Sequence, residues 1–470
     1  MRIVTVKSPG LAHTSYYVSS KGESLVVDPR RDIDEYLTLA RSDCAPLKYV
    51  FETHCNEDYV TGSRELQEAT DVEVCHSKET PLKYGSHSLS DGDRFQVGDL
   101  EVECLWTPGH TLDSMCYVLY DLNGCDDPLA VFTGDTLFMG DVGRTDLPGE
   151  ELWEKMSGMM YDSLHEKVLP LGEHVILFPS HTAGSICGSH ISNREVSTIG
   201  YEKLTNTQLS LNREEFIKNR LTNEMQRPPY FRRMEEWNLN GAPLLKDVSA
   251  PKMLKPSEFE IESEKPYTFM LDTRQPDAFA SSHIPGSVNI WLNGATYYPG
   301  WIIDYKDHIL LVSERKEDIP TVTTYLHRIG YDDVSGYLCP GVDAWRNAGK
   351  HTEALTSLHV GELRDLLSKD QVHVLDVRED NEYFSGHIKG SQNIYVGHLM
   401  ERLDNVPKER TTCVTCSWGG RSGIAASLLR KEGYRVANLL GGMQSWNAAK
   451  LPTEVDAKYL EQRRMPVCPL

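Results

Sequence analysis

Residues 53–62 read THCNEDYVTG. They follow a short apolar run, Tyr49-Val50-Phe51, and place His54 and Asp58 four positions apart on a turn after a strand. Three more segments carry metal-ligating side chains in the same kind of setting. His110 stands in TPGHTLDS, Asp135 in FTGDTLF and His181 in FPSHTAG, each beside Gly, Pro, Ser or Thr. A lone loop histidine says little. Four such segments in order are a different matter, because loops at strand ends converge on one edge of an α/β fold, and together they point to a metal site.

This ordered set resembles the metallo-β-lactamase superfamily, whose opening segment usually reads H-x-H-x-D-H. The resemblance implies an α/β fold, an αββα sandwich, over residues 1–250. The two-metal hydrolases of that superfamily fill one site with three His and the other with Asp, His and a final His. The acid matching Asp135 bridges the metals. Here Asn56 and Tyr59 replace one ligand in each site. An Asn carboxamide is a poor donor to Zn²⁺, and a Tyr phenol is neutral near pH 7. His54, His110 and Asp135 remain. Two imidazoles and one carboxylate with open positions suit non-haem Fe(II) and O₂ chemistry.

The first domain also resembles the persulfide dioxygenases, which use those three positions as iron ligands. Gly143-Arg144-Thr145-Asp146 is similar to that family's G-R-T-D. AGSICG at 183–188 and STIGYE at 197–202 resemble the subset fused to rhodanese domains. Tyr at position 59 is usual in that subset, whereas position 56 is usually His, so Asn56 is a departure. The resemblance implies one Fe(II) per chain. Asp58, His181, Asn56 and Tyr59 would surround the ligands without binding metal, although Asp58 and His181 also read as plain turn residues. Arg144 either meets a carboxylate of the substrate or closes an internal pair with Asp146. Cys187 is either a small buried thiol or an accessory one.

The second half of the chain repeats itself. FMLDTRQPDAFASSHIPGSVNI at 269–290 matches HVLDVREDNEYFSGHIKGSQNI at 373–394, with Asp272/Asp376, Arg274/Arg378, His283/His387 and Asn289/Asn393 aligned without a gap. A period near 100 residues is too long for a solenoid unit and marks two copies of one domain. Each copy alternates strand and helix signals, which predicts a parallel sheet. The boundaries fall at 251–352 and 353–470, the last including a C-terminal tail.

Residues 413–422 of the second copy read CVTCSWGGRS. A strand ends at Cys416, a loop follows, and a helix begins near Arg421-Ser422. Such a loop turns backbone N–H groups inward, and the helix N-terminus and Arg421 both favour an anion or a thiolate. C-x-x-G-x-R-S resembles the active loop of rhodaneses, and the repeat resembles the rhodanese signature. That resemblance implies two rhodanese-like α/β domains with parallel sheets. Cys416 would be the nucleophile, with Arg421, Ser417, Trp418, Gly419, Gly420 and Ser422 around the anion. The first copy reads ILLVSERKEDIPT here, with neither Cys nor glycines, and so is expected to be inactive.

The net charge of −21 argues against nucleic acid and anionic membranes. Apolar runs are too short to span a bilayer, and the N-terminus carries polar residues and Pro9 where a signal peptide needs an apolar core. Eleven scattered cysteines fit reduced thiols. A cytoplasmic enzyme is therefore expected, and the superfamily resemblance implies a homo-oligomer. Its partners would be small molecules: a thiol persulfide, O₂, sulfite and thiosulfate. Two alternatives stay open. One is a zinc-dependent thioester hydrolase of the glyoxalase II kind fused to a sulfurtransferase; the other is a sulfurtransferase on a metal-poor scaffold.

Overall fold

Successive residues of the first strands face two different cores. Tyr16, Val18, Leu25, Val27, Phe51 and Cys75 enter one, while Tyr17, Val26, Val50 and Val74 enter another. Alternation of this kind on a sheet with both faces buried demands a layer on each side. In the computed structural model, which describes residues 1–188, 190–222 and 225–456, those layers are present. One side is a second sheet, whose Val102, Cys104, Tyr117 and Phe132 share the first core. The other side holds helices Asp34–Ser42 and Ser63–Thr70, whose Tyr36 and Leu66 close the second. Burial of Phe51 and Phe132 alone is worth about 1.5–3 kcal/mol each.

The first sheet has six strands in chain order, from Arg2–Ser8 to His87–Leu89. The second has five, ordered Ile176–Pro179, Ala130–Gly134, Met115–Asp121, Leu100–Trp106 and Arg94–Val97. Its outer face (Cys116, Val118, Val131, Leu177) packs on Met160 and Phe216 of helices Glu150–Ser163 and Arg213–Leu221. The result is the αββα sandwich expected from the opening stretch. Strand His13–Ser20 escapes a periodicity reading because all eight residues are buried.

Two compact units make up the chain: Met1–Val248 with His327–Gly330, and the remaining described residues. The second unit contains two five-stranded sheets of like order. One runs Lys252–Leu254, Val334–Leu338, His308–Val312, Thr268–Asp272, Val288–Asn289. The other runs Thr356–Leu358, Val436–Leu439, Thr411–Thr415, Val372–Asp376, Gln392–Asn393. All pairings within both are parallel.

The aligned residues of the repeat prove structural. Arg274 Nη2 lies 2.6 Å from Asp272 Oδ2, and Arg378 Nη2 lies 2.7 Å from Asp376 Oδ2. Each guanidinium then reaches a loop carbonyl at 2.9 Å, Ser282 O in one copy and Gly386 O in the other. Asn289 and Asn393 donate back to the carbonyls of their own Asp and Arg. The C-terminal tail beyond residue 456 lies outside the described residues. No helix among the described residues is long and apolar enough to cross a membrane, and the described cysteines are all free.

Candidate metal centre and sulfur-transfer loop

The four segments singled out from sequence do meet. His54 follows strand Leu47–Phe51, His110 lies between strands Leu100–Trp106 and Met115–Asp121, and Asp135 and His181 directly follow Ala130–Gly134 and Ile176–Pro179. All four are buried. The rings of His54 and His110 stand nearly perpendicular with centroids 5.0 Å apart. Ligand atoms of His54, His110, Asp135 and also Glu57 lie within 4.8 Å of one another.

Hydrogen bonds to the far nitrogens set the tautomers. His110 Nδ1 is 2.9 Å from the carbonyl of Arg144, so it must donate. His54 Nδ1 is 3.0 Å from Thr53 Oγ1, whose single proton is given to Asp28 Oδ2 at 2.8 Å. It too must donate. Both Nε2 atoms are thereby left facing the cluster, buried and without a hydrogen bond of good geometry, as is Glu57 Oε2. Orphaned buried donor atoms facing one another are what a bound cation would satisfy, and outer hydrogen bonds that orient imidazoles are the usual support for one. The residues fit a metal.

Electrostatics agree. Burial opposes a charge on His54, but the adjoining carboxylates of Glu57 and Asp135 push its pKa up to about 10. Burial also opposes charge on Asp135, yet His181, His110 and His54 bring it down to about 2. The pocket thus wants positive charge beside its carboxylates, supplied by protons or by a cation.

His181 is held between two acids. Its Nδ1 lies 2.7 Å from Asp135 Oδ1 and its Nε2 lies 2.9 Å from Asp58 Oδ2. Asp58, His181 and Cys187 also bring ligand atoms within 4.8 Å of one another. Burial and the charges of Asp135 and Glu57 hold the Cys187 thiol well above its ordinary pKa, so it is neutral.

The two residues that break the hydrolase pattern stand outside the cluster. Asn56 turns its Nδ2 to the carbonyl of His54 at 3.3 Å and toward Glu52. Tyr59 lies against His13 with ring centroids 4.0 Å apart and the rings tilted, and burial raises its phenol well above the ordinary value. Of the two roles expected for Arg144, the internal pair is the one displayed. Its Nε and Nη2 reach Asp146 at 2.6 and 2.7 Å, and its other donors reach backbone carbonyls.

Two residues around the metal cluster escaped the sequence reading. Glu57 is one; a poor ligand at position 56 could have directed attention to its neighbour. Asp28 is the other. It accepts from Thr53 N at 2.7 Å and from Ser180 Oγ at 2.6 Å, so it ties the loop of His54 to the loop of His181. Nothing in its sequence context signals this.

In the second unit, Cys416 directly follows strand Thr411–Thr415, and helix Gly420–Lys431 begins four residues later. The N–H of Gly419 donates to Cys416 Sγ at 3.1 Å, and the thiol faces Ser422 Oγ at 3.5 Å. Gly419 has φ of +132°, a conformation that frees its N–H to point inward. Arg421 is paired: its Nη2 lies 2.7 Å from Glu382 Oε1 and 2.8 Å from Ser417 Oγ. Glu382 also escaped the sequence reading, because it comes from a segment 35 residues before Ser417. Trp418 is exposed and meets Trp291 edge-on at 5.2 Å. At the matching place in the first copy, Ser313 bonds Thr273 at 2.7 Å, and Glu314 to Glu317 are exposed.

Comparison with known proteins matches this division. Residues 8–181 match the metallo-beta-lactamase superfamily, and residues 255–348 and 359–449 match the rhodanese-like domain. The chain is 30% identical over 195 residues to a mitochondrial persulfide dioxygenase, ETHE1, from Bos taurus, covering 40% of this chain and 68% of that protein. The chain belongs to the persulfide dioxygenase family, with two rhodanese-like domains added. Within the superfamily it is also 32% identical over 169 residues to a hydroxyacylglutathione hydrolase from Hahella chejuensis (36% of this chain, 61% of the hydrolase). Among solved structures, a metallo-beta-lactamase from Staphylococcus aureus subsp. aureus COL superposes with a TM-score of 0.65 at 27% identity. It covers 72% of this chain and 98% of that one, more than the first unit alone could supply.

Proposed function

We propose that this member of the family is a non-haem iron persulfide dioxygenase coupled to rhodanese sulfur transfer. The supporting observation is the cluster of His54 Nε2, His110 Nε2 and the Asp135 carboxylate, with both Nδ1 atoms fixed by hydrogen bonds, while Asn56 and Tyr59 stand apart. One iron held by His54, His110 and Asp135 would supply O₂ activation beside a bound persulfide. The protein's own groups do the rest. Thr53 and the Arg144 carbonyl hold the two imidazoles in register, and His181 anchors the Asp135 carboxylate. The balance is RSSH + O₂ + H₂O giving RSH, SO₃²⁻ and two protons.

Cys416 would take the outer sulfur of a second persulfide, releasing the thiol, and pass it to sulfite. The Cys416 S–S bond breaks, a new S–S bond forms in thiosulfate, and the thiol is regenerated. Gly419 N–H stabilises the sulfur during both steps. The first rhodanese-like copy, lacking a thiol after its strand, would be inactive.

Asp58, His181 and Cys187 favour one competing reading, in which they hold a second metal and the site hydrolyses thioesters. Metal analysis separates the two: one iron per chain supports the dioxygenase, two zinc ions the hydrolase. Iron-loaded protein should consume O₂ and release sulfite with glutathione persulfide or coenzyme A persulfide. Absence of O₂ uptake with both would overturn the proposal.

A further inference from the structure

We infer that Glu57 is a fourth protein ligand to the metal, so that this site is a two-histidine, two-carboxylate centre. The inference rests on the single-metal reading above and extends it.

The loop that carries His54 turns Asn56 away from the cluster and brings the next side chain in. Glu57 Oε1 lies 3.1 Å from His110 Nε2, and Glu57 Oε2 lies 3.4 Å from His54 Nε2. Its carboxylate therefore spans both nitrogens, and Asp135 Oδ2 lies 3.5 Å from one of them, His110 Nε2. Glu57 is 1% exposed, and Oε2 has no hydrogen-bond partner. Its one other neighbour, the neutral thiol of Cys187, donates to Oε1 at 3.5 Å. A buried carboxylate without a lysine or arginine against it is costly unless a cation meets it. Among the described residues, the groups set against it besides that thiol are the Nε2 atoms of His54 and His110, whose Nδ1 atoms are already fixed by hydrogen bonds.

Glu57 thereby replaces, one residue along, the ligand that Asn56 fails to supply. Two carboxylates balance the 2+ charge of a ferrous ion inside a dry site. Held by these four side chains, a ferrous ion would keep open positions and would supply O₂ activation beside the substrate. Glu57 is thus a ligand rather than a base that acts on substrate alone, and the two roles differ in the resting protein.

The test uses full-length protein, stripped with a chelator and titrated anaerobically with Fe(II) or Co(II) against a competing chelator. Loss of an orienting partner of a ligand already costs roughly 10–100-fold in affinity. Glu57→Gln should cost at least that, and should change the visible spectrum of the cobalt form. Glu57→Asp, which keeps the carboxylate on a shorter arm, should fall between. Metal-free melting temperatures of both variants establish that they are folded, and whichever is folded decides the question. Unchanged affinity and an unchanged cobalt spectrum would overturn the ligand assignment while leaving His54, His110 and Asp135 as the metal site. A wild-type protein that binds neither ion would overturn both.

Discussion

His181 Nδ1 is 2.7 Å from Asp135 Oδ1, and that bond decides where the Asp135 carboxylate points. The opposite nitrogen is braced by Asp58 at 2.9 Å, so the ring cannot turn without breaking two charged contacts. Burial opposes charge on the ring, but the two carboxylates raise its pKa well above the ordinary value. His181→Gln should lower Fe(II) affinity by roughly 10–100-fold. Anaerobic metal titration checks this; affinity equal to wild type would show that Asp135 needs no anchor.

Gly143 passes so close to the metal loops that a methyl group on it would overlap the Asp135 carbonyl and crowd His110 Nδ1. Both are backbone-locked parts of the site. Gly143→Ala should therefore destabilise the first unit by roughly 1–3 kcal/mol. For a domain of this size that lowers the melting temperature by about 2–4 °C per kcal/mol. It should also reduce the metal retained on dialysis. A variant with wild-type melting and full metal content would contradict the packing described.

Cys416 accepts a hydrogen bond from the Gly419 N–H at 3.1 Å and lies four residues before a twelve-residue helix. Cys416→Ser should end thiosulfate formation while the first domain continues to release sulfite. The ratio of sulfite to thiosulfate, read by chromatography of labelled products, gives the answer. Thiosulfate at the wild-type rate would exclude Cys416 as the carrier.

The Glu382–Arg421 pair predicts an acid-sensitive contribution to stability. Burial alone would raise the Glu382 carboxyl, but the Arg421 guanidinium and Ser417 hold its pKa below the ordinary value of 4.5. A depressed folded-state pKa means that the unfolded chain binds the proton first. The stabilisation is therefore complete above pH 4.5 and fades as pH falls through the folded-state value. Melting temperatures of wild type and Glu382→Gln should differ at neutral pH and converge in acid. A gap that widens on acidification would reverse the sign and refute the pairing.

Much of this was legible in the chain itself. Strands ending in His, Asp and Gly marked the loops of the metal centre because side chains at strand ends share one edge of a sheet. The aligned Asp, Arg, His and Asn residues disclosed a duplicated domain, although their work is to pin loops and not to react. Strand His13–Ser20 left no alternation to read, since both of its faces are buried.

The sequence by itself determined the domain order, the duplicated half, and the segments that bring His54, His110, Asp135 and Cys416 to strand ends. Those depend on local pattern and on side-chain type. Only the tertiary structure decided that Glu57 enters the metal cluster while Asn56 leaves it, that Asp28 joins the loops of His54 and His181, and that Arg421 is paired with Glu382. Each of these turns on where a loop points a side chain, and a loop has no fixed period. Its direction is settled by contacts with residues far away in the chain.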